Sequence, residues 1–414
     1  MIPIFATAVA TAVAAPATPS AVVRDLTGAR LESLPPLSLY VHIPWCVRKC
    51  PYCDFNSHEA KQAIPEEAYV NALIGDLEAA LPQIWGRRVY SIFFGGGTPS
   101  LFSAQSIETL LVAFRARLPL VADCEITLEA NPGTFESDKF RDYRAAGVNR
   151  LSIGIQSFNP RHLKALGRIH DDAEAHRAVE IAHRHFDNFN LDLMYALPQQ
   201  TPEECMSDVG MAVACGTQHL SLYHLTLEPN TPFHRTPPSL PDDDCAALMQ
   251  EAIEAALDAA GYRHYETSAY ARPGSESRHN LNYWRFGDYL GIGAGAHSKL
   301  SFSDRIIRQM RWKHPRSYLE QAAKGAYVQE ENPVGRADRV FEFMMNALRL
   351  TDGFAIEDFV ARTGLPLAAA ERALAEAETR GLIRRDAAHI APTELGRRFL
   401  NDLLGLFLPE AERR

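Results

Sequence analysis

Trp45-Cys46-Val47-Arg48-Lys49-Cys50-Pro51-Tyr52-Cys53 sets three cysteines in a C-x3-C-x2-C array, just after the β-type run Leu37-Ser38-Leu39-Tyr40-Val41-His42-Ile43. Three thiolates cannot close a tetrahedral zinc site without a fourth ligand. They suit a [4Fe-4S] cluster held through three of its irons. Such clusters ordinarily take four cysteines, so an open iron calls for a ligand from outside the motif. The alternatives are a partial zinc knuckle, or cysteines buried as small hydrophobes. Cys124, Cys205, Cys215 and Cys245 are scattered at no ligand-like spacing and read as structural.

Outward from this stretch, short β-rich runs at 38–43, 89–95, 124–130, 148–155, 189–195 and 218–225 alternate with amphipathic helical segments. Thr201-Pro202-Glu203-Glu204 is a capping box with proline at the first helical position, and Gly147 stands where a helix over 138–146 should stop. Strand–helix alternation predicts an α/β fold built as a partial (β/α)6 barrel. The working residues of such barrels gather at the C-terminal ends of the strands. Here the cysteine loop follows the first run and Gly95-Gly96-Gly97-Thr98-Pro99 follows the second. Glu129-Ala130-Asn131-Pro132 ends the third and Gln156 the fourth, with Asp192 in the fifth and His224 near the end of the sixth. A glycine-rich turn after a strand offers backbone close enough to grip a small polar ligand.

The expected organisation is a disordered leader over 1–36, the barrel over 37–275, a connecting segment over 276–332 and a small winged-helix-like α+β domain over 333–414. The first 23 residues carry no charge, so the leader lacks the basic start of a signal peptide, and Pro16 and Pro19 interrupt its apolar run. A formal charge of -9 argues against nucleic acid as a partner. The alanine- and glutamate-rich helix expected at 367–380 fits structural or protein contacts better than DNA. Seven cysteines in 414 residues make no disulfide framework, and clustered thiols suit a reducing cytoplasm.

Tyr40-x-His42-Ile43-Pro44-x-Cys46, the cysteine array, Gly-Gly-Gly-Thr-Pro, Glu-Ala-Asn-Pro and Ser152-Ile153-Gly154-Ile155-Gln156-Ser157-Phe158 resemble the oxygen-independent coproporphyrinogen III oxidase family of radical S-adenosylmethionine (radical-SAM) proteins. The likeness runs from about residue 37 to 300, and more loosely beyond. It implies a [4Fe-4S] cluster on Cys46, Cys50 and Cys53, with SAM on the open iron. Tyr40 and Tyr52 are then expected to line the SAM pocket. Gly96, Gly97 and Thr98 belong to the loop that meets the SAM amino group, and Glu129 anchors the ligand. Gln156, Arg168 and Asp192 fall at positions that touch a second SAM in the oxidase.

One departure matters. The oxidases continue to a fourth cysteine, C-x3-C-x2-C-x-C, and that position here is Phe55. Cys53-Asp54-Phe55-Asn56-Ser57 is similar instead to the haem-chaperone branch of the family, which also carries H-N-x-x-Y-W. His279-Asn280-Leu281-Asn282-Tyr283-Trp284 supplies it, followed by Gly291-Ile292-Gly293-Ala294-Gly295-Ala296-His297. Histidine is a common haem-iron ligand, and Tyr and Trp add flat apolar surface with a polar edge. His279, Asn280, Tyr283 and Trp284 are therefore the expected haem contacts, with His42 and His297 as rival ligands.

Two functions follow from the resemblance. One is a chaperone that carries haem as cargo to haem-requiring, respiratory proteins, with a transient membrane-protein contact and a homodimer as accompanying options. The other is radical decarboxylation of porphyrinogen propionates. Phe55 and the H-N-x-x-Y-W stretch favour the first.

Overall fold

The computed structural model describes residues 30–134 and 137–409. Successive side chains of a strand point to opposite faces, and this alternation builds the interior. In the first strand, Leu37–Ile43, the residues Leu37, Leu39, Val41 and Ile43 enter the hydrophobic core, while Tyr40 and His42 face an internal cavity. Each such buried aliphatic side chain contributes about 1.5–3 kcal/mol.

Five further strands, Val89–Gly96, Leu120–Ala130, Arg150–Gln156, Phe189–Tyr195 and His219–His224, follow in parallel, each beside its predecessor. The long helices Glu66–Ile84, Ala104–Arg117, Ser137–Ala146, Asp172–His185 and Pro202–Ala214 connect them. The Thr201 capping box is formed at both of its hydrogen bonds. The Gly147 N–H donates to the Tyr143 carbonyl at 3.2 Å, just past the end of Ser137–Ala146. The six-stranded α/β expectation therefore holds.

The sheet also extends beyond those six strands. Asp288–Ile292 lies parallel to the first strand on its free side. His297–Ser301, Ile306–Arg311 and Val328–Pro333 continue from it in antiparallel fashion. At the far edge Ala269–Ala271 and Arg263–Glu266 add an antiparallel pair, for twelve strands among the described residues. The segment expected only to connect, 276–332, thus builds one wall of the barrel. Its strand character is obscured in the sequence by Gly291, Gly293 and Gly295, because glycine is a poor strand former.

Towards the C-terminus, helices Arg336–Ala347, Ile356–Thr363 and Glu371–Thr379 pack with a three-stranded sheet of Phe354–Ala355, His389–Pro392 and Ile383–Arg385. Phe343, Phe359, Leu374 and Ile390 form its core, which Phe286 and Ile306 join from the barrel side. Ion pairs Arg349–Glu266 at 2.6 Å and Arg308–Glu342 at 2.5 Å cross the same boundary. The leader up to residue 29 lies outside the described residues. Leu31, expected to belong to it, is buried in the C-terminal core, and its N–H donates to Ser303 O at 3.1 Å. Among the described residues no helix is long and apolar enough to cross a membrane.

Candidate functional site

The cysteine loop is tied at both ends. Trp45–Cys46 pairs in parallel with His58–Glu59, and His58 N donates to Pro44 O at 2.7 Å. Inside the loop, the Lys49 ammonium donates to the carbonyls of Phe55 at 2.9 Å and Ser57 at 3.2 Å. Cys46, Cys50 and Cys53 are free thiols, partly exposed. Burial pushes the Cys46 thiol up to about 11, and Cys53 and Cys50 raise it further by their proximity. Burial raises the Cys53 thiol as well.

Desolvated thiols of this kind become thiolates when a metal supplies the compensating charge. Among the described residues no three His, Cys, Asp or Glu side chains converge on a single metal ion. A cluster spreads its thiolate ligands over separate irons, and a set of three soft sulfur donors fits it.

Beside this loop the glycine turn leaves no room for side chains. A Cβ on Gly97 would sit 2.5 Å from the Trp45 carbonyl oxygen, and one on Gly96 (φ +118°) would sit 2.5 Å from the His42 ring. The Gly97 N–H donates to Ile43 O at 2.8 Å and the Thr98 N–H to Trp45 O at 2.7 Å, binding the two loops together. The Gly96 N–H donates to Glu129 Oε2 at 3.0 Å. Burial, with Asp192 adding to it, lifts the Glu129 carboxyl to about 7.

Thr98 Oγ1 accepts from Asn131 Nδ2 at 2.8 Å, and Asn131 Oδ1 in turn accepts from Arg168 Nη2 at 2.6 Å. Arg168 Nη1 reaches Cys50 Sγ at 3.7 Å. Gln156 is buried in a left-handed conformation (φ +68°) with its Nε2 unpartnered, a strain costing about 1–3 kcal/mol that collects at functional positions. Tyr52 packs on Phe233, away from the main cavity, and burial raises its phenol.

That cavity, of about 350 Å³, occupies the barrel interior. It brings together Tyr40, Gly96, Glu129 and Asp192 with His279, Asn280 and Tyr283, and Phe55 closes one side. The short helix Arg278–Trp284 presents the last group. Its first two N–H groups, on Arg278 and His279, donate to the two oxygens of Glu125 at 3.0 Å each. At 100° per residue His279 and Tyr283 share a face, whereas Trp284 turns away.

Trp284, expected among the haem contacts, accordingly does not line this cavity; it is buried, with the Arg349 guanidinium 4.5 Å from its ring centroid. Gly97, Thr98, Gln156 and Arg168 likewise do not line the cavity. Thr98 and Arg168 share a smaller recess with Cys50. His224 is exposed against Tyr195.

His279 is neutral, its pKa lowered to about 3 by burial and by the nearby Arg150. Ser91 Oγ lies 3.0 Å from its Nδ1. His42 is also neutral, at about 4, but both of its nitrogens have partners: Tyr40 Oη at 3.0 Å and Asn56 O at 3.0 Å. His297 lines the cavity as well.

Strand-end reasoning missed the residues deeper in the barrel, namely Ser91, Phe93, Arg150, Ser152, Asn190, Ser221 and Tyr289. Asp192 belongs to a network among them, accepting from Ser152 Oγ at 3.0 Å and Asn190 Nδ2 at 2.9 Å. The available signal was period two: Arg150-x-Ser152-x-Gly154-x-Gln156 and Asn190-x-Asp192 put a non-aliphatic residue at every second position of otherwise aliphatic strands.

Comparison with known proteins decides between the branches. Residues 40–211 match the Radical SAM superfamily, and 334–399 match the HemN C-terminal domain. The chain is 52% identical over 382 residues to Heme chaperone HemW of Escherichia coli, covering 92% of this chain and 100% of that protein. The chain belongs to the HemW family. The HemW of Haemophilus influenzae is 50% identical over 386 residues, again covering 92% of this chain and 100% of the relative. The solved Escherichia coli coproporphyrinogen III oxidase (HemN), a radical-SAM enzyme, superposes with a TM-score of 0.77 at 25% identity, over 90% of each chain. Membership of the radical-SAM superfamily implies a [4Fe-4S] cluster and SAM, and the thiol set and glycine cradle of this HemW-family chain fit both.

Proposed function

We propose that the protein is a haem chaperone that takes haem into the barrel cavity and passes it to haem-requiring acceptor proteins. The observation that carries this reading is His279, a neutral imidazole on the cavity wall whose Nδ1 is held by Ser91. The Ser91 hydroxyl donates to Ser38 Oγ at 2.8 Å, so Ser91 is left as an acceptor for His279 Nδ1–H. Nε2 then carries the lone pair for iron. A hydrogen bond to the remote nitrogen fixes the tautomer and orientation of a ligating histidine. Tyr40, Phe55, Phe93, Tyr283 and Tyr289 supply aromatic wall for a flat apolar macrocycle.

In this reading Cys46, Cys50 and Cys53 hold the cluster. Tyr40, Gly96 and Glu129 face SAM from the cavity wall, with Asp192 adding a polar group. Gly97 and Thr98 fix the glycine loop against Ile43 and Trp45, and Tyr52, Gln156 and Arg168 support the site from off that wall, Arg168 beside Cys50. A [4Fe-4S] cluster held by Cys46, Cys50 and Cys53 would supply the electron for any reductive cleavage of SAM, since the cofactors of such proteins carry the hard chemistry. The chain's own residues orient the ligand and exclude water. Phe55, on the cavity wall where the oxidases have cysteine, favours holding a macrocycle over converting one. The clustered free thiols support a reducing cytoplasm as its location, with transient contact where the acceptor is membrane-bound.

The test is anaerobic reconstitution followed by haem titration and coproporphyrinogen III turnover on the same sample, with SAM and reductant present. The chaperone reading expects one haem per chain and no protoporphyrinogen. Multiple turnovers to protoporphyrinogen would establish the oxidase instead.

A further inference from the structure

Arg150 starts the fourth barrel strand, paired in register with Thr127, and is 2% exposed. Its side chain lines the barrel cavity, and its Nε has no hydrogen-bond partner. A buried guanidinium is costly unless an anion answers it. The acids around it are committed elsewhere. Both Glu125 oxygens accept the N–H groups that start the His279 helix. Glu129 accepts the Gly96 N–H, and Asp192 is held by Ser152 and Asn190. Among the described residues no carboxylate forms an ion pair with Arg150.

We propose that Arg150 is the anchor of a carboxylate-binding site inside the cavity, and that it takes a propionate of the haem cargo. This rests on the chaperone reading. Guanidinium is the side chain best matched to a carboxylate, which it grips through two parallel N–H donors. The same positive charge, with burial, helps to keep His279 neutral. The ligand is thereby held at two points: iron by an imidazole on one wall, and a carboxylate by Arg150 on another. The other carboxylate this cavity could receive is that of the SAM methionyl group.

The test compares reconstituted wild type, Arg150→Gln and Arg150→Lys, titrated with haem, with haem dimethyl ester and with SAM. The proposal expects wild type to bind haem roughly 10- to 100-fold more tightly than the ester, the worth of a hydrogen bond to a charged group. Arg150→Gln is expected to erase that preference, and Arg150→Lys to restore part of it. Equal binding of haem and ester by wild type overturns the proposal even if the Gln variant does not fold. Unchanged haem affinity with weakened SAM binding in Arg150→Gln assigns the carboxylate to SAM and overturns the propionate. Wild type that binds neither haem nor ester removes the chaperone reading and this inference with it.

Discussion

Ser91 Oγ and His279 Nδ1 lie 3.0 Å apart although 188 residues separate them in the chain. The second barrel strand thereby sets the ring orientation of a histidine carried on a helix far downstream. Ser91 also donates to Ser38 Oγ at 2.8 Å, so the effect of its removal is read on haem binding against SAM affinity, which the Ser38 contact does not touch through His279. Ser91→Ala is expected to weaken haem binding by about 10-fold, the lower end of the cost of losing a ligand's supporting hydrogen bond. Haem titration in the Soret band, with SAM affinity as the control, checks this; equal loss of both would mean a general disturbance of the barrel.

Gly97 faces backbone rather than a flexible side chain. Gly97→Ala must push its Cβ off the Trp45 carbonyl oxygen, 2.5 Å away, and overpacking of this kind costs about 1–3 kcal/mol. The loop can relieve the clash only by parting from Trp45, which also displaces Thr98, whose N–H binds that same carbonyl. SAM affinity by equilibrium dialysis should fall sharply, while the far-UV spectrum stays native.

Trp284 separates the structural part of its motif from the ligand-facing part. Trp284→Phe keeps the apolar fill and weakens the Arg349 contact, so we expect a loss of about 1–2 kcal/mol in urea unfolding with haem affinity unchanged. A haem defect in a variant of native stability would return Trp284 to the cavity.

Asp288 holds the extended wall to the barrel. It pairs with Lys299 at 2.9 Å and Arg87 at 2.8 Å and accepts from Ser301 N at 2.8 Å. Burial alone would raise its pKa, but the two cations outweigh burial and hold it below the usual carboxylate value. Its contribution to stability is therefore fully present above the unfolded carboxylate pKa, about 3.9, and is lost as pH falls through the lower folded value. Asp288→Asn leaves Lys299 buried without its anion and should cost about 3–5 kcal/mol near neutrality. Urea unfolding across acid pH should then show a shallower pH dependence than wild type.

The six parallel strands were legible because each is a compact aliphatic run closed by a polar or glycine-rich end. The strand Asp288–Ile292 was hidden because it runs into the Gly291–Gly295 stretch and pairs with a strand some 250 residues earlier, a partnership that no local pattern encodes. Cys46, Cys50 and Cys53 announced themselves by spacing. Arg150 did not, since a lone arginine at a strand start reads as solvent-facing until the register with Thr127 turns it inward. That Trp284 turns away from the face shared by His279 and Tyr283 was not legible, because a linear motif does not say which of its residues share a helix face.

In the proposed function His279 ligates the haem iron within the barrel cavity. The most direct measurement is the Soret and electron paramagnetic resonance spectra of haem-loaded wild type beside His279→Ala, with His42→Ala and His297→Ala as companions. Ligation by His279 predicts one haem per chain in wild type, an imidazole-ligated iron signature that disappears only in His279→Ala, and an affinity loss of at least about 10-fold in that variant. An unchanged spectrum and affinity in His279→Ala, or loss of the signature in His297→Ala instead, would contradict it.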